Sequence, residues 1–117
     1  MQLLVAVLND EEKLDEVLAG FVELGITGAT IVQSEGMGRV LAEDVPIFAG
    51  LQALLTRARP QNVTLFSVID REEKVEAAIA LLQEICGDFS RPATGIVFTV
   101  PVSRVVGLKG ELGERDL

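Results

Sequence analysis

Residues 7–14 read VLNDEEKL and residues 68–75 read VIDREEKV. At a constant displacement of 61 residues the same succession recurs: an apolar pair, a capping residue, one position that differs (Asp10 against Arg71), two glutamates, a lysine, and the first apolar residue of a helical stripe. Working outward from the first copy, residues 3–8 are a continuous apolar run of strand length. Asn9 is placed to cap the following helix, with Glu12 at capping-box spacing. Leu14, Val17, Leu18, Phe21 and Val22 then recur with helical period on one face, Gly25 ends the helix, and residues 27–33 suit a second strand. The second copy repeats the plan. Residues 63–69 form a strand, Asp70 caps with Glu73 at the box position, and Val75, Ala78, Ile79, Leu82 and Ile85 make the inward stripe. Gly87 lies past the helix end, and residues 95–100 are another apolar strand. Two βαβ halves of this size close into an α+β, ferredoxin-like (βαββαβ) sandwich, a four-stranded antiparallel sheet with both helices on one face.

The whole chain, 1–117, is expected to be one domain. An apolar share of 49% fits a packed core and excludes a disordered chain. With 18 acidic against 10 basic residues the net charge is −8, which argues against a nucleic-acid partner and against adhesion to anionic lipid. No apolar run reaches the ~18 residues of a membrane span, so direct membrane insertion is not expected. The opening MQLLVAVLNDEEK lacks a cationic leader and reads as a strand; with one cysteine and no internal disulfide, a cytoplasmic location is the expectation. The absence of histidine removes Ser-His and Cys-His nucleophile pairs, histidine bases and histidine-ligated zinc. An enzyme is therefore not expected. Glu11-Glu12 and Glu72-Glu73 read as dipole-complementing helix starts, and Cys86 as a small core residue.

The strands LLVAVL, VTLFSVI and GIVFTV alternate poorly. A sheet covered on one side only should alternate apolar with polar residues, so the helix-free face is expected to be apolar and buried against copies of the same chain. Between the halves lies an insertion, 35–60. Asp44-Val45-Pro46 looks like a helix start, Ile47, Phe48, Leu51, Leu54 and Leu55 give a stripe, and Pro60 stops it. A short helical insertion is thus expected between strands 2 and 3, with Arg57 and Arg59 near its end. The tail from Pro101 carries Val102, Val105 and Val106 before turning polar.

Residues 24–40, LGITGATIVQSEGMGRV, read as the wall and floor of a small-ligand site. Here Thr30 lies on a strand, and Gly36-Met37-Gly38-Arg39 reads as a glycine-rich turn that lets backbone approach a ligand beside a cation. Together with Thr94-Gly95-Ile96-Val97-Phe98, Pro101-Val102-Ser103-Arg104-Val105 and Gly110-Glu111, this pattern resembles the nitrogen-regulatory PII-type signalling proteins. The resemblance covers nearly the whole chain except the insertion. It implies a homotrimer of ferredoxin-like subunits that binds adenine nucleotides between subunits and regulates partners, membrane transporters included, through a long loop after the second strand.

Carried over by the resemblance, Thr30, Gly36, Gly38 and Arg39 fall on the nucleotide cleft, Val68 on the third strand's contribution, and Gly95 in the phosphate-holding loop. The position of a phosphate-binding lysine holds Ile96. Of two basic positions near the C-terminus, one holds Gly107 and the other Lys109, and the loop carries no tyrosine. Arg104, among valines, is a candidate for the ligand or for an intersubunit ion pair. An adenine nucleotide (AMP, ADP or ATP) is the possible effector; with so few cations, a ligand bearing less charge than a triphosphate, such as a monophosphate nucleotide, is easier to accommodate. No cofactor is otherwise implied. Two other readings of the scaffold are a CutA-type divalent-cation tolerance protein, for which transition-metal ligands are poor here, and an acylphosphatase-like hydrolase, which would need an arginine cradle.

Overall fold

The computed structural model describes residues 1–44, 61–92 and 94–108, with the backbone alone at 39 and 42–44. Strand β1 (Gln2–Leu8) leads through a 3-10 turn (Glu11–Lys13) into α1 (Leu14–Glu23). There follow β2 (Thr30–Ser34), α2 (Met37–Asp44), β3 (Asn62–Ile69), α3 (Glu72–Cys86) and β4 (Gly95–Pro101). The sheet order is β2-β3-β1-β4, and every neighbouring pair is antiparallel. This is the ferredoxin-like arrangement expected from the repeat. The 45–60 part of the expected inserted helix lies outside the described residues.

Both amphipathic helices turn their stripes to one sheet face. Val17 and Phe21 of α1 and Val75, Ala78 and Leu82 of α3 are buried with Leu4, Ala6 and Leu8 of β1 and Val63, Leu65 and Ile69 of β3. Leu14, Leu18, Ile79 and Ile85 pack partly buried around them. A Cβ on Gly20 would run into the side chain of Leu81, so the missing side chain lets α1 and α3 approach closely.

The register assigns the opposite face. Phe66 of β3 and Phe98 of β4 flank Val5 of β1, and Val68 and Val100 flank Leu3. Since Cβ atoms alternate across a strand, these six share the helix-free side with Val7, Ile96 and Val32. Ile96 is 53% exposed, Phe98 45%, Val32 45%, Val100 44% and Phe66 37%. The expected bare apolar face is therefore present. It is polar at the start of β3, where Ser34 hydrogen-bonds Asn62 and lies 2.8 Å from the hydroxyl of Thr64, and at Thr30, which pairs with Phe66.

Several local expectations are corrected. Asp10, not Asn9, caps the first helical turn, accepting from the amide of Glu12 at 3.1 Å. The tight 3-10 start moves the cap one residue on. Before α3 the capping position belongs to Arg71, with no side-chain bond; Asp70 instead faces Lys74 at 3.6 Å. The second strand begins at Thr30 rather than at 27, because the carbonyl of Gly28 is taken by the Ser67 hydroxyl at 2.7 Å rather than by the sheet ladder. Asp44 lies within α2 (Met37–Asp44), and the rest of the helix start expected at Asp44-Val45-Pro46 lies outside the described residues.

Candidate functional site

The loop 25–29 between α1 and β2 is set by its glycines and one buried anchor. Gly25 adopts φ 83°, the left-handed conformation that closes a helix without a Cβ penalty. Its amide donates to Val22 at 3.0 Å, and the amide of buried Ile26 donates to Phe21 at 2.8 Å. Ser67 is the polar member of the buried face of β3, and donates its hydroxyl to Gly28. The loop becomes one wall of a cleft of about 320 Å³. Residues 66–70 of β3 and its exit form the floor, and Val105, Gly107 and Leu108 of the segment after β4 close the far side. That segment stays beside β1, since the amide of Val102 donates to Met1 at 3.1 Å.

The cleft is mostly apolar and backbone-lined, and its charged lining residues are Asp70 and Lys74. A ligand entering it meets hydrogen-bonding backbone and the Thr30 hydroxyl, with a cation already balanced by a carboxylate; the Ser67 hydroxyl is already engaged with Gly28. Such a surface suits a flat, largely uncharged group better than a polyphosphate.

The sequence-marked residues fall into two sets. Thr30 and Val68 line the cleft, as does Gly107. Gly36 and Gly38 lie at the other end of β2: a Cβ on Gly36 would stand 3.6 Å from the Asn62 amide, at the beginning of β3. Gly95 pairs with Leu8, at that same end of the sheet. The two ends are separated by the strand length, roughly 13–17 Å at 3.3–3.4 Å per residue. Arg104 is exposed on the segment after β4, and Lys109 lies outside the described residues.

Gly36-Met37-Gly38-Arg39 is not an open turn. From Met37 onward it is the first turn of α2, closed by the bond from the Val40 amide to the Gly36 carbonyl at 3.2 Å. A glycine at a helix start costs only about 1 kcal/mol against alanine, which the sequence pattern alone overweighted as a break. Gly95 has its own structural requirement. At φ 135°, a Cβ there would collide with the carbonyl oxygen of Val7.

Comparison with known proteins places this fold. The profile described as Nitrogen regulatory protein P-II matches residues 1–111. The chain belongs to the P-II nitrogen regulatory protein family. It is similar to the nitrogen regulatory protein P-II of Azospirillum brasilense, at 29% identity over 102 residues, covering 86% of this chain and 87% of that protein. The P-II match runs through the insertion as well as the two βαβ halves. It makes the chain a regulatory, signalling-type protein and fits the ferredoxin-like fold. Among the described residues no helix is long and apolar enough to cross a membrane.

Among the lining residues that sequence reading did not mark for this P-II chain's cleft are the polar ones Ser67, Asp70 and Lys74. Two signals for them were present. Ser67 is the polar residue in the otherwise apolar set Val63, Leu65 and Ile69, and Asp70 and Lys74 stand one helical turn apart.

Proposed function

We propose that the chain works as a homotrimeric PII-type regulator that binds an adenine nucleotide at the seam between subunits. The observation that carries this reading is the division of the marked residues. Thr30 and Val68 lie at one end of the sheet and Gly36, Gly38 and Gly95 at the other, with the apolar face spanning the distance. Packing copies through that face would bring one subunit's cleft against a neighbour's opposite end. Arg39, Arg104 and Lys109 are the cations assigned to the ligand's anionic part.

Effector binding then controls the 35–60 segment, which presents or withdraws a surface for a partner such as a membrane transporter. The ligand shifts that equilibrium through its different contacts with the two arrangements of the segment. Adenine nucleotides of low charge are favoured, because Ile96 is apolar and Gly107 has no side chain to offer a phosphate. The site of action is the cytoplasm, and the role is binding and not turnover.

Calorimetric titration of the purified oligomer with AMP, ADP and ATP tests this reading. The expected result is saturable binding with AMP or ADP at least as tight as ATP. Absence of heat from all three, with the oligomer's mass confirmed by light scattering, would remove the nucleotide.

A further inference from the structure

We propose that Lys74 is a positioning residue for the cleft: its ammonium, steadied by Asp70, ties down the Gly25 carbonyl and so holds the 25–29 wall in its binding shape. Lys74 Nζ donates to the Gly25 oxygen at 3.4 Å and stands 3.6 Å from the Asp70 carboxylate. Its Nζ and Cε also lie 3.4 and 3.5 Å from where a Cβ on Gly25 would sit, so the lysine end packs over the bare glycine.

The placement is not explained by the helix that carries it. Lys74 is the third residue of α3, in a first turn that already holds Glu72 and Glu73. A cation there opposes the helix dipole, whose N-terminal end favours negative groups. What the position gains is reach: from α3, Lys74 crosses to a loop 49 residues earlier in the chain. The far end of that loop is held by Ser67, 2% exposed, through Gly28. Two side chains from β3 and α3 thus secure two carbonyls of one short wall, and both line the cleft.

Of the two side chains that make these ties, Ser67 is itself buried, whereas the Lys74 side chain is 26% exposed and the partner Asp70 45%. The lysine tie is therefore the one that solvent can loosen and that a substitution can remove without emptying the core. Because the Asp70 carboxylate already balances the ammonium, Lys74 acts on the wall and not on a ligand phosphate. This assignment rests on the cleft being the effector site proposed above.

The test uses the intact oligomer with Lys74→Met, Lys74→Arg and Asp70→Asn, each checked for an unchanged thermal midpoint. Hydrogen exchange without ligand is read first. Lys74→Met is expected to speed exchange of the 26–30 amides about tenfold while the β1 amides stay as in the parent, with Lys74→Arg restoring the parent rate and Asp70→Asn in between. Unchanged exchange at 26–30 in Lys74→Met overturns the proposal, whether or not nucleotides bind. Titration with AMP, ADP and ATP is read second. Positioning expects Lys74→Met to weaken all three by the same factor, about tenfold, with Lys74→Arg within about threefold of the parent. A loss that grows with the number of phosphates would instead make Lys74 a phosphate contact and overturn the positioning role. If the parent binds none of the three, the effector reading fails, and the exchange result alone decides whether Lys74 holds the wall.

Discussion

Replacing Phe98 by aspartate strikes the middle of the helix-free face. Phe98 sits beside Val5, which is only 6% exposed, and Val5 in turn faces Phe66 on its other side. An aromatic side chain carries roughly 150–250 Å² of surface, so the 45% of Phe98 left open in one subunit is on the order of 90 Å². Covering that area against a neighbouring copy contributes about 2 kcal/mol per subunit at 25 cal/mol per Å². Phe98→Asp loses this term and places a carboxylate where it would have to be desolvated, at a cost of several kcal/mol more. The helix-facing core is untouched, because Phe98 alternates away from Val97 and Thr99. Sedimentation equilibrium at low micromolar concentration is expected to give a trimer mass, three times the 12.5 kDa chain, for the parent, and dissociation toward 12.5 kDa for Phe98→Asp. Far-ultraviolet circular dichroism should stay native-like. A parent that sediments as a folded single subunit, or a Phe98→Asp variant that keeps its full assembly, would refute the reasoning about this face.

Two further outcomes follow from local geometry. Gly95→Ala forces a Cβ against the Val7 carbonyl at a left-handed φ, and is expected to lower stability by about 1–3 kcal/mol in urea unfolding; an unchanged midpoint would mean that the β4 start relaxes freely. Burial pushes the Cys86 thiol up, an effect only partly offset by the nearby Lys13 ammonium, so less thiolate is present at pH 8 than in the unfolded chain. Iodoacetamide should therefore label the folded protein several-fold more slowly than the urea-unfolded protein, with the gap narrowing as pH rises through the folded thiol's range; equal rates in the two states at pH 8 would contradict this.

The fold was legible because two independent periodicities agreed. The displaced pair VLNDEEKL and VIDREEKV marked two strand-to-helix joints, and the stripe residues that follow them, Val22 excepted, are found in the core or packed against it. The bare apolar face was legible from the same kind of pattern: both faces of β1 and β4 are mostly apolar, and only one face meets helices. Boundaries were less legible, since caps depend on local backbone angles. Asp10 and Asn9 are chemically equivalent as caps, and only the 3-10 turn chooses between them. The glycines of 36–38 misled because glycine marks a break only where a conformation demands it, and α2 begins through them.

The cleft was half legible. Thr30 and Val68 were marked by their motif and their strand, whereas Lys74 and Ser67 act through single hydrogen bonds to loop carbonyls 49 and 39 residues away. Contacts of that kind leave no period in a sequence. They appear only once the sheet brings β3 and the 25–29 loop together.

Whether the proposed nucleotide site is shared between copies is tested most directly by mixing two defective chains. Thr30→Ala and Arg39→Ala would each be purified, shown to bind AMP at least about tenfold more weakly than the parent, and then dissociated and reassembled together. In a mixed oligomer, a seam that joins an intact Thr30 from one chain to an intact Arg39 from the next is whole again. The expected result is recovery of a fraction of parent-affinity AMP sites in the mixture and none in either variant alone. A confirmed mixed assembly with no recovered sites would mean that Thr30 and Arg39 never serve one ligand from neighbouring subunits.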